Sequence, residues 1–352
     1  MVKSKFRNIN AGFLYFYIHF MTEVICFFVT TKVMGDRAYT WLFPLVYDAL
    51  AFVPQSVIGA ISDKYPKLNI SVIGIILMCA SAPFFSYSKW IPLAILCLGN
   101  CCTHIGGAEV TLRASNGSLS HSAIFVAGGS FGVITGKLLA GTDISVYIVI
   151  AFVLTSIPFA LLAQYYRKDA DKACKNPCEA FNYANDKMPV ALVILFATII
   201  VIVRGYMGYG IPTSWNKTTL QTVYLFCIMG LGKGLGGVVA DLIGVKKTAY
   251  LSAILALPFL LLGDSHMMVS LMGVMFFSMT MAITLAVLVS ALPNAPGVAF
   301  GFTTIGLFLG TVPIFFFKLA TVKANCIMLT ALTVICLVLI HFTIRKDGKA
   351  NG

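Results

Sequence analysis

Twelve long apolar segments, each followed by a short polar stretch, fill almost all of this 352-residue sequence. A helix needs roughly 20 apolar residues to cross the hydrocarbon core of a bilayer, and in lipid only helices or closed barrels satisfy every backbone hydrogen bond. The sequence therefore predicts an all-α membrane protein with twelve transmembrane helices. These predicted spans, numbered one to twelve, lie near 10–33, 41–61, 70–87, 91–112, 121–141, 144–164, 189–209, 218–239, 248–263, 267–291, 297–319 and 324–343.

The composition excludes a soluble protein and several other classes. Apolar residues make up 59% of the chain and charged residues 11%, whereas a soluble domain carries roughly 25% charged residues. Span one is too long, and too soon followed by others, to be a cleaved signal peptide. No Gly-x4-Gly-Lys-Ser/Thr sequence occurs, so we do not expect transport driven by ATP bound within this chain.

The cysteines give no sign of a metal centre. The ten cysteines lie mostly one at a time in apolar spans, where a thiol behaves as a small hydrophobic group. Cys174 and Cys178 share the central polar segment, but two thiols make a poor zinc site and a cytoplasmic disulfide is not expected. We therefore predict no metal site and no cofactor.

The distribution of positive charge predicts the orientation in the membrane. Lys3, Lys5 and Arg7 precede span one, and with that end inside, sixteen Lys and Arg residues fall on inner segments against six on or beside outer ones. Cytoplasmic loops carry such an excess, so both termini are predicted to be cytoplasmic. The net charge of +12 is then mainly a topology signal, and we expect contact with lipid but no nucleic-acid partner.

A long polar run divides the chain into two halves. Residues 165–188 separate six spans from six spans. We assign 1–164 to an N-terminal six-helix bundle, 165–188 to a cytoplasmic linker and 189–352 to a C-terminal six-helix bundle. We expect a monomer.

A repeated motif indicates that the two halves are similar. Gly59-Ala-Ile-Ser-Asp63 is followed by Lys64 after span two, and Gly237-Val-Val-Ala-Asp241 recurs 178 positions later, after span eight. Paired glycines also recur 174 positions apart, in spans five and eleven. A membrane protein built of two similar halves is most simply a transporter in which one half rocks against the other.

These features resemble the major facilitator superfamily, whose members have twelve spans in two halves and Gly-x3-Asp loops after spans two and eight. The resemblance covers essentially the whole chain and implies alternating access at the cytoplasmic membrane. Five shorter stretches are similar to exporters of the fosmidomycin-resistance type: His19-Phe-Met-Thr-Glu23, Asp63-Lys64-Tyr65-Pro66, His104, Arg113-Ala114-Ser115 and Gly128-Gly129-Ser130-Phe131-Gly132. The chain departs from that type where Glu23, Ile105 and Lys137 replace Asp, Pro and Gly-Pro. This resemblance implies proton-linked efflux.

Three residues are candidates for proton coupling. His19 and Glu23 are four positions apart, so they share one face of span one. A charged residue inside a membrane is costly and usually functional, and His titrates near neutral pH. His104 lies in span four, which the resemblance places beside span one at a central cavity, where it would extend the proton path or bind substrate. For all three residues, a hydrogen-bonded contact between helices is the alternative interpretation.

Other polar residues inside the spans are candidates for substrate binding. Arg204, beside Tyr206 and Tyr209 in span seven, is the leading candidate because a guanidinium group suits a carboxylate or phosphonate. Lys233 in span eight and His104 are further candidates. Lys137 in span five is expected to pair with Asp48 in span two, as a structural contact.

The repeated motif supplies candidates for gating at the inner side. Asp63 is expected near the start of span eleven, at Pro296 and Gly297, because exposed N–H groups and the helix dipole favour a carboxylate there. Symmetry places Asp241 near the start of span five, at 120–122. The resemblance gives the gating role to these loop motifs and to an ionic pair in span four: Gly59, Asp63, Lys64, Glu109, Arg113, Gly237 and Asp241.

The sequence is best interpreted as a proton-coupled secondary transporter that exports a small organic molecule with an anionic group. Import of a nutrient or metabolite with protons is the alternative on the same fold. An enzyme or a receptor is the rival of a different class. The five histidines lie in different segments, which argues against a reactive cluster, and no large loop is present for a receptor to expose.

Overall fold

Most described residues are helical in this computed structural model, which describes residues 9–34, 41–317 and 321–345. Within these ranges, β-structure consists of one isolated bridge between Ala184 and Ile344. Eleven described helices are long and apolar enough to cross a membrane, and a shorter apolar helix covers Ile70–Ser86. The prediction of an all-helical membrane protein is confirmed, and the shorter helix lies where span three is predicted.

The helices follow the predicted spans to within a few residues at most ends. Spans two, six and ten each consist of two consecutive helices, and in span two the second helix follows Pro54, which cannot donate a backbone hydrogen bond. The helices are Asn10–Met34, Leu42–Phe52, Gln55–Lys64, Ile70–Ser81, Ala82–Ser86 (a 3-10 turn), Trp90–Ala114, Ser120–Ala140, Val146–Leu154, Ser156–Ala173, Val190–Gly210, Thr219–Ile243, Val245–Leu262, Met267–Met279, Met281–Ala291, Pro296–Phe316 and Val322–Thr343.

Glycines bring the first and fifth spans of each half into close contact. A Cβ atom at Gly132 or Gly310 would lie 2.3 Å from a backbone carbonyl oxygen of span one or span seven, respectively. At Gly136 the corresponding distance to the Val24 carbonyl oxygen is 2.6 Å. Real Cβ atoms do not approach this closely, so the repeated glycines are required for this packing, as in other membrane helices.

The linker packs against both halves at one end of the bundle. The last helix of span six runs to Ala173, past the predicted boundary at 164. Tyr183 donates a hydrogen bond to the Gly117 carbonyl in the N-terminal half (2.6 Å), and Ala184 pairs with Ile344 in the C-terminal half. We call this the linker end and the other the opposite end. The linker end is predicted to be cytoplasmic; Lys3, Lys5 and Arg7, which support that prediction, lie outside the described residues.

Spans eight and nine are joined by a single residue, so the prediction of a polar loop between them is wrong. Span eight ends at Ile243 and span nine begins at Val245. Gly244 between them has a φ of 100°, which glycine adopts without steric cost. Lys246 therefore lies in a helix, and its ammonium group donates to the His341 and Ile344 carbonyls at 3.0 and 2.9 Å. These contacts satisfy carbonyl groups at the end of span twelve.

Candidate functional site

Two histidines and a glutamate meet between spans one and four. The Nε2 atoms of His19 and His104 lie 3.6 and 3.4 Å from Oε1 of Glu23. The two imidazole rings meet edge to face with their centroids 4.4 Å apart. All three residues are at most 8% exposed. The structure thus brings together the three residues predicted for proton coupling, and we call them the triad.

Backbone contacts fix the orientation of both imidazole rings. Nδ1 of His19 lies 2.9 Å from the Phe125 carbonyl oxygen, and Nδ1 of His104 lies 3.0 Å from the Asn100 carbonyl oxygen. Because a carbonyl can only accept a hydrogen bond, each Nδ1 must carry a hydrogen. In a neutral ring, Nε2 then presents a lone pair toward Glu23. Three electron-rich atoms converge, so the arrangement favours a cation among them.

Two residues that sequence reasoning missed support the triad. Asn100 donates a hydrogen bond to Oε1 of Glu23 over 3.4 Å and is fully buried. It lies one helical turn before His104, and that spacing is a signal that could have identified it. Gly129 leaves space for the other imidazole, because a Cβ atom there would lie 2.5 Å from Cε1 and Nε2 of His19.

The triad faces the boundary between the two halves. The Phe300 ring of span eleven lies 6.4 Å from the His104 ring. Lys233 of span eight donates a hydrogen bond to the Ser130 hydroxyl of span five over 2.8 Å. Lys233 also lies within electrostatic range of Glu23. Of the predicted substrate-binding cations, Lys233 is therefore the one placed beside the triad.

Arg204 lies inside the C-terminal half instead of beside the triad. Its guanidinium group donates to the Phe277 carbonyl oxygen at 2.6 Å and lies 4.9 Å from the centroid of the Phe277 ring. That carbonyl also accepts a hydrogen bond from Thr280, where span ten is interrupted. Arg204 thus stabilises a helix break. Its neighbours, such as Ala256 and Cys336, belong to spans nine and twelve.

The other predicted residues of span seven lie near the opposite end. Tyr206 is half-buried, whereas Tyr209 is 60% exposed. Tyr209 lies within electrostatic range of Asp48 in span two. The expected pair between Asp48 and Lys137 is wrong. The Lys137 ammonium group lies instead over the rings of Phe27 and Phe226, with centroid distances of 5.4 and 5.3 Å.

The N-terminal Gly-x3-Asp motif binds the start of span eleven. The Asp63 carboxylate accepts hydrogen bonds from the backbone N–H groups of Gly297 and Val298, both at 3.1 Å. Span eleven begins with Pro296, which has no N–H of its own, so these are its first free donors. A Cβ atom at Gly59 would lie 2.4 Å from the Gly297 carbonyl group. We call this set of contacts the N-terminal clasp.

The second motif forms the corresponding contact with span five. The Asp241 carboxylate accepts hydrogen bonds from the N–H groups of Leu119 and Ser120 at 2.9 and 3.0 Å and from the Ser118 hydroxyl at 2.5 Å. A Cβ atom at Gly237 would lie 2.7 Å from the Leu119 carbonyl oxygen. We call this set the C-terminal clasp. Both clasps join the two halves at the linker end. Asp63 contacts the predicted Gly297, whereas Asp241 contacts residues 118–120, two positions before the predicted 120–122.

Charged residues of the N-terminal half surround a buried glutamate next to Asp63. Glu109 is fully buried, accepts from Ser62, and lies 2.5 Å from Arg167 and 3.4 Å from Arg113. Both arginines also contact Asp171. Sequence reasoning missed the contribution of Arg167 and Asp171 because they lie beyond the apolar part of span six, in the segment predicted to be the linker.

Lys64 takes no part in these ionic contacts. It is exposed, and its ammonium group lies 5.5 Å from the centroid of the neighbouring Tyr65 ring. The linker end is therefore held by the two carboxylates, Asp63 and Asp241, together with the Glu109 cluster.

The arrangement of two helical halves matches solved transporters. A variant of the E. coli fucose:proton symporter FucP aligns with a TM-score of 0.60, covering 94% of this chain and 98% of that chain at 12% identity. FucP in the outward conformation gives a TM-score of 0.62, covering 96% and 99% at 11% identity. The chain has the major facilitator fold.

A third structure of this fold, the proton:xylose symporter XylE bound to 6-bromo-6-deoxy-D-glucose, aligns with a TM-score of 0.58 at 13% identity and covers 95% of each chain. No protein-family model and no curated protein matches the sequence. The major facilitator fold of this chain is therefore shown by its structure, at sequence identities too low to transfer a substrate.

Proposed function

We propose that the chain is a proton-coupled secondary transporter of a small organic molecule, with the triad as its proton-binding site. The observation that carries this proposal is the buried Glu23 held between two histidines at the boundary of the halves. A buried acid inside a membrane bundle is costly unless it has a function. The neighbouring imidazoles each present an Nε2 atom that can accept a proton.

The geometry supports a single proton shared within the triad. Both Nδ1–H groups are used by backbone carbonyls, so a proton added to the triad must lie among Glu23 and the two Nε2 atoms. With that proton, a charge-assisted hydrogen bond replaces the repulsion between lone pairs. Loss of the proton leaves an uncompensated arrangement that favours a rearrangement of spans one and four, and this links proton binding to movement.

Closure at the linker end supports alternating access. The two clasps join spans two and eleven and spans five and eight, which belong to opposite halves. Asp63 and Asp241 bind backbone N–H groups at helix starts, where the dipole stabilises an anion. Such contacts can release and re-form without a change in fold. In this state the linker end is closed, and we propose that the opposite end is the one that opens.

Lys233 is the group best placed to bind an anionic part of the substrate. It lies near the triad and is held by Ser130 across the boundary between the halves. An anion that takes the place of Ser130 would connect spans five and eight through the substrate. Arg204 is already bonded to the Phe277 carbonyl, and we propose that it supports span ten. Its effect on substrate binding, like that of Tyr206 and Tyr209, would then be indirect.

Export is the direction we propose, from the resemblance of the span-one, span-four and span-five motifs to efflux proteins. Import with protons is the second candidate, because the solved structures that align with this chain include the fucose:proton and proton:xylose symporters. The sign of the driving pH gradient separates them. An exporter that exchanges substrate for protons fills vesicles that are acidic inside, and a symporter fills vesicles that are acidic outside.

Sealed proteoliposomes with an imposed pH gradient test the proposal. Radiolabelled phosphonates, organic acids and sugars are screened for uptake with the wild-type chain, and the best substrate is used with Glu23→Gln. We expect Glu23→Gln to abolish gradient-driven accumulation while retaining exchange of substrate across the membrane. Glu179→Gln, at an exposed glutamate of the linker, is the matched control. Full gradient-driven accumulation by Glu23→Gln would overturn the proposed proton site.

A further inference from the structure

We infer that the triad is a binding site for a divalent first-row transition-metal ion of the Zn²⁺ class. The inference goes beyond proton-coupled transport and does not require it. One potential ligand atom from each of His19, Glu23 and His104 lies within 4.8 Å of the others. Two imidazoles and one carboxylate form a donor set that zinc and similar metals use in proteins.

The distances within the triad match a tetrahedral site. The two Nε2 atoms lie 3.6 and 3.4 Å from Oε1 of Glu23. Ligands bonded to zinc at 2.0 to 2.1 Å in a tetrahedron are separated by about 3.3 to 3.4 Å. Both nitrogen–oxygen distances are therefore close to those of a tetrahedral site, and the two Nε2 atoms lie within 4.8 Å of each other. The site has three protein ligands, which leaves a fourth position for water.

The surroundings of the two histidines support metal binding independently of these distances. Histidines that bind metals usually donate their second ring N–H to a carbonyl or carboxylate, which directs the other nitrogen toward the metal. Both histidines do so here, through Phe125 and Asn100. A pair of buried histidines that served only as a helix contact would not need both Nε2 lone pairs directed at one carboxylate oxygen.

The donor atoms also select the class of metal. Two nitrogen ligands favour zinc and its neighbours over magnesium and calcium, which prefer oxygen. The Cys26 thiol accepts a hydrogen bond from the Asn100 amide at 3.4 Å. Other ionisable groups within electrostatic range of Glu23 include Tyr47, Asp48, Cys97 and Lys233. None of them replaces a triad ligand.

Titration of the purified full-length chain with ZnCl₂ in detergent at neutral pH tests the inference by calorimetry. We expect one ion per wild-type chain, and at least a tenfold weaker affinity for Glu23→Gln and for His104→Gln. His266→Asn and Cys174→Ser, which change an exposed histidine and an exposed thiol, should bind as the wild type does. Failure of the wild type to bind, or loss of binding only in the two control variants, would overturn the inference.

A spectroscopic measurement decides the question even if a triad variant fails to fold. Co²⁺ bound by two imidazoles and a carboxylate in a tetrahedral site gives intense visible absorption, unlike hydrated Co²⁺. We expect this absorption with the wild-type chain and its displacement by one equivalent of Zn²⁺. A spectrum identical to that of hydrated Co²⁺ would refute the site. Since neither experiment involves transport, failure of metal binding leaves the proposed transport function to be judged by its own assay.

Discussion

The two clasps at the linker end use the same motif but differ in their surroundings. Asp241 is 7% exposed and bonds to two N–H groups and a hydroxyl, so the carboxylate of the C-terminal clasp is buried. Asp63 is half-buried and bonds to two N–H groups. Arg113 and Arg167 lie within its electrostatic range.

The corresponding segment of the C-terminal half lacks this charge. Span four has Glu109 and Arg113 beside its clasp, whereas residues 283–291 of span ten contain no charged residue. The duplicated motif therefore closes both sides of the linker end. The cluster of charged residues around Glu109 lies beside the N-terminal clasp. We interpret the N-terminal clasp as the adjustable contact and the C-terminal clasp as the more rigid one.

Removing the charge of Glu109 should have the largest effect on stability. The residue neutralises Arg167, which is 2% exposed, and breaking a buried ion pair costs about 3–5 kcal/mol. We expect Glu109→Gln to lower the melting temperature of the detergent-solubilised protein more than any other change considered below. Glu179→Gln, in the exposed part of the linker, is the control. Equal melting temperatures for these two variants would contradict the role of the network.

Replacing the two clasp carboxylates should rank the clasps. Asp241→Ala leaves the buried N–H groups of Leu119 and Ser120 without this acceptor, whereas the Ser118 hydroxyl keeps its contact with the Ser120 hydroxyl. Uncharged donors left unpaired cost less than an unpaired buried charge. Asp63→Ala leaves two donors that water reaches more easily. We therefore expect Asp241→Ala to destabilise the protein more in thermal unfolding. The reverse order would show that the N-terminal clasp contributes more to stability than the C-terminal clasp.

Adding a methyl group at the motif glycines should prevent closure of the linker end. A Cβ atom at Gly59 or Gly237 would overlap backbone atoms of the opposite half, whereas at Gly234, on the same helix as Gly237, the nearest atom is 3.6 Å away. We expect Gly59→Ala and Gly237→Ala to reduce transport at least tenfold, and Gly234→Ala to retain it. Similar transport by all three variants would contradict the close approach.

The rate of cysteine labelling should show a smaller effect of the same closure. Cys178 is fully buried in the linker, and burial raises the pKa of its thiol to about 12, so the reactive thiolate is scarce at pH 8. Cys174 is exposed. Two variants are compared, one that retains Cys174 and one that retains Cys178. We expect maleimide to react much faster with Cys174 than with Cys178. If Asp63→Ala opens the linker end, maleimide should react faster with Cys178. An unchanged rate of labelling at Cys178 would contradict that opening.

The sequence predicted the positions of the helices and the clasp contacts well because both depend on local patterns. About 20 apolar residues define a span, and a helix start such as Pro296 attracts a carboxylate. Contacts that depend on how helices are rotated were harder to predict. Similar depth in the membrane suggested that Lys137 pairs with Asp48, but Lys137 turns toward aromatic rings.

The triad shows the same limit. The scattered histidines argued against the reactive cluster of an enzyme, and a metal site was considered only for the cysteines. Packing of span one against span four nevertheless places the His19 and His104 rings 4.4 Å apart. Arg167 escaped prediction for a different reason: the helix of span six continues beyond its apolar residues to Ala173, and hydrophobicity alone gives no signal for that extension.

Distances between spin labels at the two ends of the bundle test alternating access most directly. Labels are placed at the exposed positions Lys67 and Lys247 of the linker end, and at Ser86 and Ser265 of the opposite end. We predict that combining Asp63→Ala with Asp241→Ala increases the first distance and decreases the second, because the halves rock about their centre. An unchanged linker-end distance, or an increase at both ends, would contradict the account.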